Sequence, residues 1–157
     1  MKTPKLYFHD TGLAARLLGI SDASAMNSHP MRGALFENLL VSEYVKHLRH
    51  RGLPQQAYFW RDNIGNEVDL LIESDGVLWP IEMKSGATFR EEWLRALHTW
   101  ERHAAQARRG RSMLISAAPG NFEHQGVGAA HWRDALLALA GANGAHGASS
   151  ASLARRR

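Results

Sequence analysis

The spacing of apolar residues divides the chain into short strands and longer helices. Runs with the two-residue alternation of half-buried strands predict β-strands at 4–10, 57–61, 67–73, 77–84 and 112–116. Runs with apolar residues every three or four positions predict helices at 13–20, 31–51, 89–107 and 131–140. Residues 21–30 are polar and predict a loop, as does the stretch between 116 and 131. This order predicts an α/β fold with a mixed central sheet flanked by helices.

The last part of the chain differs in composition from the rest. GANGAHGASSASLARRR, which starts at Gly141, contains few large apolar side chains and therefore has little to bury. A chain of 157 residues is long enough for one core. We expect one folded domain over residues 1–140 and a disordered tail over 141–157.

Two of the predicted strands are joined by a hairpin signal. Asp75-Gly76 favours a two-residue type I′ turn, which pairs Ser74 with Val77. In this register the residue numbers of each pair add up to 151. Alternation of side chains places three apolar residues of the first strand on one face, namely Val68, Leu70 and Ile72.

The same register brings charged residues together. It places Asp69 opposite Glu82, and Glu67 opposite Lys84. Side chains paired across strands have Cβ atoms about 4.5–5.5 Å apart, so two carboxylates there destabilise the hairpin unless a cation lies between them. Hard divalent cations prefer carboxylate oxygens, which makes a metal ion a suitable partner.

An alternative reading of the hairpin also exists. Pro80 has no N–H to donate to a ladder, so it indicates an edge position or a bulge that would shift the register. The charged face would then be a solvent-exposed surface. That reading explains Glu67 and Glu73 well, but it explains poorly an acidic pair and a lysine within such apolar runs.

A glutamate interrupts the apolar face of the first long helix. At 100° per residue the helix at 31–51 has an apolar stripe formed by Ala34, Val41, Tyr44, Val45 and Leu48. Glu37 falls inside this stripe. A carboxylate that faces a core is unfavourable unless it is paired, hydrogen-bonded or bound to a metal. The alternative is a side chain at the margin of the stripe that reaches water.

The overall composition excludes several classes of protein. Hydrophobic residues make up 45% of the chain and charged residues 22%, as in ordinary globular proteins. The absence of cysteine excludes disulfide scaffolds and zinc or iron–sulfur sites with cysteine ligands. The sequence contains neither a run of 18 apolar residues nor a signal-peptide pattern, so we expect a cytoplasmic protein without a membrane partner.

The net charge of +4 is weak support for a nucleic-acid partner. Three of the 19 basic residues are Arg155, Arg156 and Arg157, and the remaining 16 face 15 acidic residues. The body of the protein is therefore nearly neutral. One local cluster of basic residues is either a solvated helix end or a phosphate-binding patch, and it consists of Arg102, Arg108, Arg109 and Arg111.

The charged residues of the hairpin resemble a known signature. Asp69, twelve intervening residues and then Glu82-Met83-Lys84 are similar to the D…(D/E)xK pattern of the PD-(D/E)xK phosphodiesterase superfamily, whose members have a restriction-endonuclease-like fold. The segments KLYFHDTGLA, GALFENLLVSE, YFWRD, NEVDLLI and PIEMKSG more specifically resemble the C-terminal domain of prokaryotic AAA-type ATPases known as domain of unknown function 4143. This resemblance extends over about residues 3–140.

The resemblance implies a role for each charged residue. Asp69 and Glu82 would be the principal ligands of Mg²⁺ or Mn²⁺, with the main-chain oxygen of Met83 as a further ligand. Glu37 matches the upstream helical glutamate and would hold the metal directly or through water. Lys84 would orient the attacking water or stabilise the charged transition state. The proline that precedes the aspartate in the superfamily is replaced here by Val68.

The resemblance leaves two functions open. The chain contains no G-x-x-x-x-G-K-[ST] motif, so we expect no ATP site in it. The upstream ATPase core and winged-helix segment are missing, which indicates a truncated reading frame or a separate domain with an ATPase partner in cis or in trans. The intact set of candidate ligands favours a Mg²⁺-dependent deoxyribonuclease. The nearly neutral charge favours a non-catalytic regulatory, DNA-binding or assembly module of that ATPase.

Overall fold

The computed structural model describes residues 4–54 and 56–141. This part contains the helices α1 (Thr11–Leu17), α2 (Ala23–Ser28), α3 (Arg32–His50), α4 (Arg95–His103) and α5 (Trp132–Gly141). Its strands are β1 (Ala57–Arg61), β2 (Glu67–Ser74), β3 (Val77–Lys84), β4 (Met113–Ser116), β5 (Phe122–His124) and β6 (Val127–His131). The tail predicted over 141–157 lies, apart from Gly141, outside the described residues.

The strands form one mixed sheet in the order β1-β2-β3-β4-β6-β5. The neighbours β1, β2 and β3 are antiparallel, β3, β4 and β6 are parallel, and β5 is antiparallel to β6. The predicted α/β class, with a mixed sheet flanked by helices, is confirmed. None of the described helices is long and apolar enough to span a membrane.

Apolar cores cover both faces of the sheet. The core on the α4 side contains Val68, Leu71, Leu97, Trp100 and Leu114. The core on the α3 side contains Leu40, Val41, Val45, Leu70 and Met83, with Trp132 of α5 packed against it. Because both faces are covered by helices, polar side chains of the central strands reach solvent mainly at the ends of the strands.

The hairpin between β2 and β3 has the predicted turn and register. Asp75 and Gly76 have φ angles of 53° and 72°, as a type I′ turn requires. Pairs with numbers that add up to 151 run from Ser74↔Val77 to Leu70↔Ile81. Pro80 lies inside the sheet and pairs with Leu71 across an unshifted register, so neither the edge position nor a bulge in β3 is present.

A bulge does occur, but between β1 and β2. Tyr58 pairs with Leu71 and Trp60 with Val68, so Asp69 and Leu70 together lie opposite Phe59. The extra residue reverses the alternation of β2. Val68 therefore packs in the α4-side core, whereas Leu70 packs in the α3-side core. The prediction that Val68, Leu70 and Ile72 share one face is wrong because it assumed unbroken alternation.

The segment before α1 is not the predicted strand. Residues 4–8 have no ladder partner in the described part of the chain. The amide and carbonyl of Phe8 instead bond to the side chain of Asn38 in α3, at 2.7 and 3.0 Å. Asn38 is only 6% exposed and its amide also donates to the Thr11 hydroxyl. One buried side chain thus satisfies the backbone that a sheet would otherwise have paired.

The structure forms two elements where loops were predicted. Residues 21–30 include α2, which is capped by Asp22 and buries no residue of its own. The stretch between 116 and 131 contains the hairpin β5–β6, which turns at Gln125 and Gly126 with positive φ angles of 49° and 79°. The prediction failed at β6 because its sequence, VGAAH, consists mainly of small residues that are weak strand formers.

The long helices differ from their predicted faces and ends in detail. Val41, Val45 and Leu48 of α3 are buried as predicted, but Ala34 is exposed, and Leu35 and Asn38 face inward in its place. The helix predicted at 89–107 consists of a 3₁₀ turn at Glu91–Leu94 followed by α4, which ends at His103.

Candidate active site

A cavity of about 380 Å³ lies at the end of the β2–β3 hairpin that is opposite the turn. Three of the predicted site residues line it, namely Asp69, Glu82 and Lys84. The rest of the lining comes from the loop between β1 and β2, the first residue of β2, the 3₁₀ turn at Glu91–Leu94 and the start of α4, and consists of Gly65, Asn66, Glu67, Glu92, Trp93, Arg95 and Ala96. The paired ladder of β2 and β3 ends at Leu70↔Ile81, so the predicted pair of Asp69 and Glu82 lies just beyond it, where β2 has its bulge.

Glu82 is a buried carboxylate with one unsatisfied oxygen. The residue is 3% exposed, its Oε1 forms an ion pair with Lys84, and its Oε2 has no hydrogen-bond partner among the described residues. Burial raises the pKa of Glu82 to about 7, and the nearby Asp69 carboxylate adds to this effect. A buried carboxylate oxygen without a donor is energetically unfavourable, so this position favours a cation.

Asp69 is held between the main chain of β3 and a lysine. Its Oδ2 accepts a hydrogen bond from the Met83 N–H at 2.9 Å, and its Oδ1 lies 3.5 Å from Lys5 Nζ. Burial raises the pKa of Asp69, and the negative charge of Glu37 raises it further. Each carboxylate oxygen can accept two hydrogen bonds or metal bonds, so Asp69 keeps lone pairs for a further ligand.

Lys84 remains a cation although it is largely enclosed. Burial alone would lower the pKa of its ammonium, but the carboxylates of Glu82 and Asp69 outweigh this effect and raise the pKa. The predicted pairing of Lys84 with Glu67 is not what the structure shows. Glu67 instead forms ion pairs with Arg61 and Lys5, because β2 is held against β1 beyond the bulge.

Glu37 is partly buried on α3, as its position in the apolar stripe predicts. Its Oε1 accepts hydrogen bonds from Lys5 Nζ and from the Tyr7 hydroxyl, each at 2.6 Å. The carboxylate is therefore hydrogen-bonded within the protein, although 20% of the side chain is exposed. The carboxylate is satisfied by two side chains of the segment before α1.

Lys5 is a functional candidate that the sequence reasoning missed. Its ammonium contacts the carboxylates of Glu37, Glu67 and Asp69, and it lies 5.7 Å from the centre of the Phe59 ring. Only 16% of the side chain is exposed. A lysine in the apolar run PKLYF is the one local signal that could have pointed to it, since no spacing rule connects residue 5 to the hairpin.

A divalent ion such as Mg²⁺ or Mn²⁺ fits part of the candidate ligand set. Asp69 and Glu82 supply hard oxygen donors, and the unsatisfied Oε2 of Glu82 fits such an ion. Within residues 4–54 and 56–141, however, no group of three or more His, Cys, Asp or Glu residues is arranged to hold a metal. Glu37 is engaged by Lys5 and Tyr7, so its predicted role as a ligand stays a prediction, as does that of the Met83 main-chain oxygen.

Two contacts position the end of β3 at the site. Arg32, at the start of α3, donates a hydrogen bond of 2.7 Å to the carbonyl of Ser85, which directly follows Lys84. Trp93 packs over the next residue, Gly86, where a Cβ atom would lie only 2.7 Å from the indole ring. These contacts hold the chain after Lys84 between α3 and the start of α4.

The predicted arginine cluster lies apart from the cavity. Arg109 is 3.7 Å from Glu101, and Arg111 forms an ion pair with Glu123 at 2.5 Å. None of its four arginines lines the cavity that contains Asp69. By contrast, Arg95 lines that cavity, is exposed, and has no side-chain partner among the described residues. Arg95 is therefore the available cation of the cavity wall.

Comparison with known proteins places this geometry in a family context. The family model described as "Domain of unknown function (DUF4143)" matches residues 32–134, which include Glu37, Asp69, Glu82 and Lys84. Uncharacterized proteins of Mycobacterium bovis and Mycobacterium tuberculosis are each 36% identical to the chain over 87 residues. The match covers 55% of this chain but only 19% of each relative, so the chain spans about a fifth of their length. No solved structure matches the chain.

Proposed function

The chain belongs to the DUF4143 family, and we propose that it is a restriction-endonuclease-like domain that hydrolyses phosphodiester bonds of DNA with Mg²⁺ or Mn²⁺. One observation carries the proposal. Glu82 keeps a buried carboxylate oxygen without a donor among the described residues, in a cavity that it shares with Asp69 and Lys84. These three residues also match the D…ExK signature of the PD-(D/E)xK superfamily, to which we assign the domain.

The residues divide the work of hydrolysis between them. Asp69 and Glu82 would hold the metal, with the main-chain oxygen of Met83 and, through water, Glu37. A bound divalent ion makes a water nucleophilic at neutral pH and neutralises charge at the phosphate. Lys84, already charged and next to Glu82, is placed to orient that water and to stabilise negative charge on the phosphoryl oxygens.

The cavity wall supports a polyanionic substrate. Arg95 has no side-chain partner in the described part of the chain, and it lines the same cavity as Asp69 and Lys84. A free guanidinium binds phosphate by paired hydrogen bonds, so Arg95 would contact the nucleic-acid backbone beside the scissile bond. The protein body is nearly neutral, so we expect few phosphate contacts and a shallow salt dependence of binding.

The setting of the domain is also a proposal. The chain spans about a fifth of its matched relatives, which leaves room for further domains in those proteins. We propose that the domain works in the cytoplasm with an AAA-type ATPase core, either in the same polypeptide or as a separate subunit. The ATPase would supply nucleotide-driven movement, and the domain would act on the DNA.

The test is titration of Mn²⁺ and Mg²⁺ into the purified chain by calorimetry. We expect binding that is lost in Asp69→Asn and in Glu82→Gln, because each substitution removes a charged ligand while keeping its shape. Glu43→Gln is the matched control, since Glu43 pairs with Lys46 away from the cavity. Absence of binding by the correctly folded wild-type chain would contradict the proposal, whereas binding justifies cleavage assays on linear, branched and single-stranded DNA.

A second function is favoured by a specific observation. Lys5 already supplies a positive charge to three carboxylates of the site, which is the arrangement of a non-catalytic module with a neutralised cluster. Such a module would regulate or assemble an ATPase and would not cleave DNA. Under this function Asp69→Asn leaves partner binding unchanged, and neither metal binds to the wild-type chain.

A further inference from the structure

Lys5 occupies the centre of the acidic cluster around the proposed metal ligands. Its ammonium is 2.6 Å from Glu37 Oε1 and 3.5 Å from Asp69 Oδ1, and it also forms an ion pair with Glu67. Neighbouring carboxylates raise its pKa although burial opposes this, so the side chain stays charged. Any divalent ion bound at Asp69 must therefore share its ligand with an ammonium group.

The charges of the cluster are already almost balanced. Its carboxylates are those of Glu37, Glu67, Asp69 and Glu82, and its cations are Lys5, Arg61 and Lys84. With all four carboxylates ionised, one negative charge remains in excess. Removal of Lys5 would leave two, which a single divalent ion would neutralise. Lys5 therefore acts electrostatically against a divalent ion at the site.

Lys5 also determines the position of Glu37. Lys5 and Tyr7 together bind Oε1 of this carboxylate. Among the described residues no group of three or more His, Cys, Asp or Glu residues is arranged to hold a metal, and Oε1 of Glu37 is occupied by its two donors. A glutamate released from both partners would be free to add a third oxygen ligand.

The segment that carries Lys5 is anchored after residue 7 and held to the site by side chains. The anchor is the hydrogen bonding of the Phe8 backbone to the buried side chain of Asn38, and α1 is capped by Asp10 two residues later. Before this anchor, Leu6 is 86% exposed. Lys5 and Tyr7 hold the segment to the site through their side chains, and Tyr7 also packs against the α3-side core.

We propose that Lys5 is a positioning residue that competes with the divalent ion for the carboxylates and holds Glu37 away from the metal. The proposal rests on the proposed function, because it concerns the affinity of the same metal site. Lys5 lies before the residues matched by the family model.

The experiment compares Mn²⁺ affinity and thermal unfolding of the full chain in wild-type and variant forms. In Lys5→Met we expect Mn²⁺ to bind at least about tenfold more tightly, since a unit charge within a few ångströms of a divalent ion is worth several-fold to many-fold in affinity. In the same variant without metal we expect a lower melting temperature, because Glu37, Glu67 and Asp69 lose their shared cation. If Lys5 had only a structural role, its substitution would lower the melting temperature without raising the affinity for Mn²⁺.

Two further variants act as controls. Lys5→Arg keeps the charge and should bind Mn²⁺ within a few-fold of wild type. Lys46→Met removes a lysine that pairs with Glu43 on the outer face of α3, and its Mn²⁺ affinity should stay within about twofold. If Lys5→Met does not fold, Tyr7→Phe decides, because it removes one of the two donors that hold Glu37 and should tighten binding about threefold.

The outcomes separate the two proposals. Equal Mn²⁺ affinity in wild type and Lys5→Met, or in wild type and Tyr7→Phe where only that variant folds, overturns the role of Lys5 and leaves the metal site intact. No Mn²⁺ binding by any folded variant overturns the proposed function and the competition together. Binding by Lys5→Met alone overturns the proposed function in the wild-type chain while it establishes that Lys5 excludes the ion.

Discussion

Two regions supply charges to the same site by different means. The β2–β3 hairpin presents Asp69, Glu82 and Lys84 through a two-residue turn and a regular ladder, and both features are local in sequence. The segment before α1 presents Lys5 and Tyr7 through one buried side chain, Asn38, thirty positions along the chain. The conformation of the hairpin can therefore be predicted from its own residues. The position of the segment depends on a partner that no local pattern indicates.

The largest effect is expected from a substitution of Asn38, which anchors the segment before α1. We expect Asn38→Ala to lower the free energy of unfolding by about 3 kcal/mol, because it removes three hydrogen bonds of a buried side chain and leaves the Phe8 backbone and the Thr11 hydroxyl without these partners. The variant should also bind Mn²⁺ more tightly, since Lys5 loses its anchor. Urea denaturation and calorimetry measure the two effects. Asn27→Ala, at an exposed position of α2, is the control and should change stability by less than about 0.5 kcal/mol.

The hairpin side of the comparison is tested by the pH dependence of stability. The folded state raises the pKa of Glu82 to about 7 from an ordinary 4.5, so between these values it binds more protons than the unfolded state. The stabilisation from protonated Glu82 is thus present at low pH and is lost as the pH rises to 7. In buffer that contains a metal chelator, the unfolding free energy of the wild type should fall by about 2 kcal/mol more between pH 5 and 7.5 than that of Glu82→Gln. A wild-type and variant difference in unfolding free energy that does not change between pH 5 and 7.5 would contradict the expectation.

The smallest expected effects on stability come from glycine substitutions, which should have opposite signs in the hairpin turn and in α3. Gly76 has a φ angle of 72°, so Gly76→Ala should destabilise the hairpin by about 1 kcal/mol. Gly33 lies near the start of α3 with open space around its Cα, so Gly33→Ala should stabilise the protein by up to about 1 kcal/mol. Chemical denaturation of both variants gives the two signs directly. Equal signs would show that the backbone conformation at residue 76 does not control the hairpin.

The elements that were predicted correctly share a physical property. The turn at Asp75-Gly76 depends on two residues that tolerate positive φ, and the register follows from the turn alone. Strands β1 and β3 match their predicted bounds because their alternation is not disturbed inside the strand. In α3 the burial of Val41 and Val45 follows directly from helical periodicity.

The elements that were missed depend on distant partners. The bulge at Asp69 and Leu70 is a property of how β1 pairs with β2, and it reverses the faces of β2 without any mark in the sequence of that strand. Strand β6 consists of small residues whose pairing with β4 determines their conformation. Neither feature follows from a propensity or period of its own residues, so neither could be predicted locally.

The sequence by itself determined the class of the fold, the hairpin register and the proximity of Asp69 to Glu82 and Lys84. These follow from turn chemistry and side-chain periodicity, which act over a few neighbouring residues. Only the tertiary structure decided that Glu37 is bound by Lys5 and Tyr7, that Glu67 pairs with Arg61, and that Glu82 keeps an unsatisfied oxygen. Such partnerships depend on chain segments that meet only in the folded state, because packing and charge balance choose them after the local elements have formed.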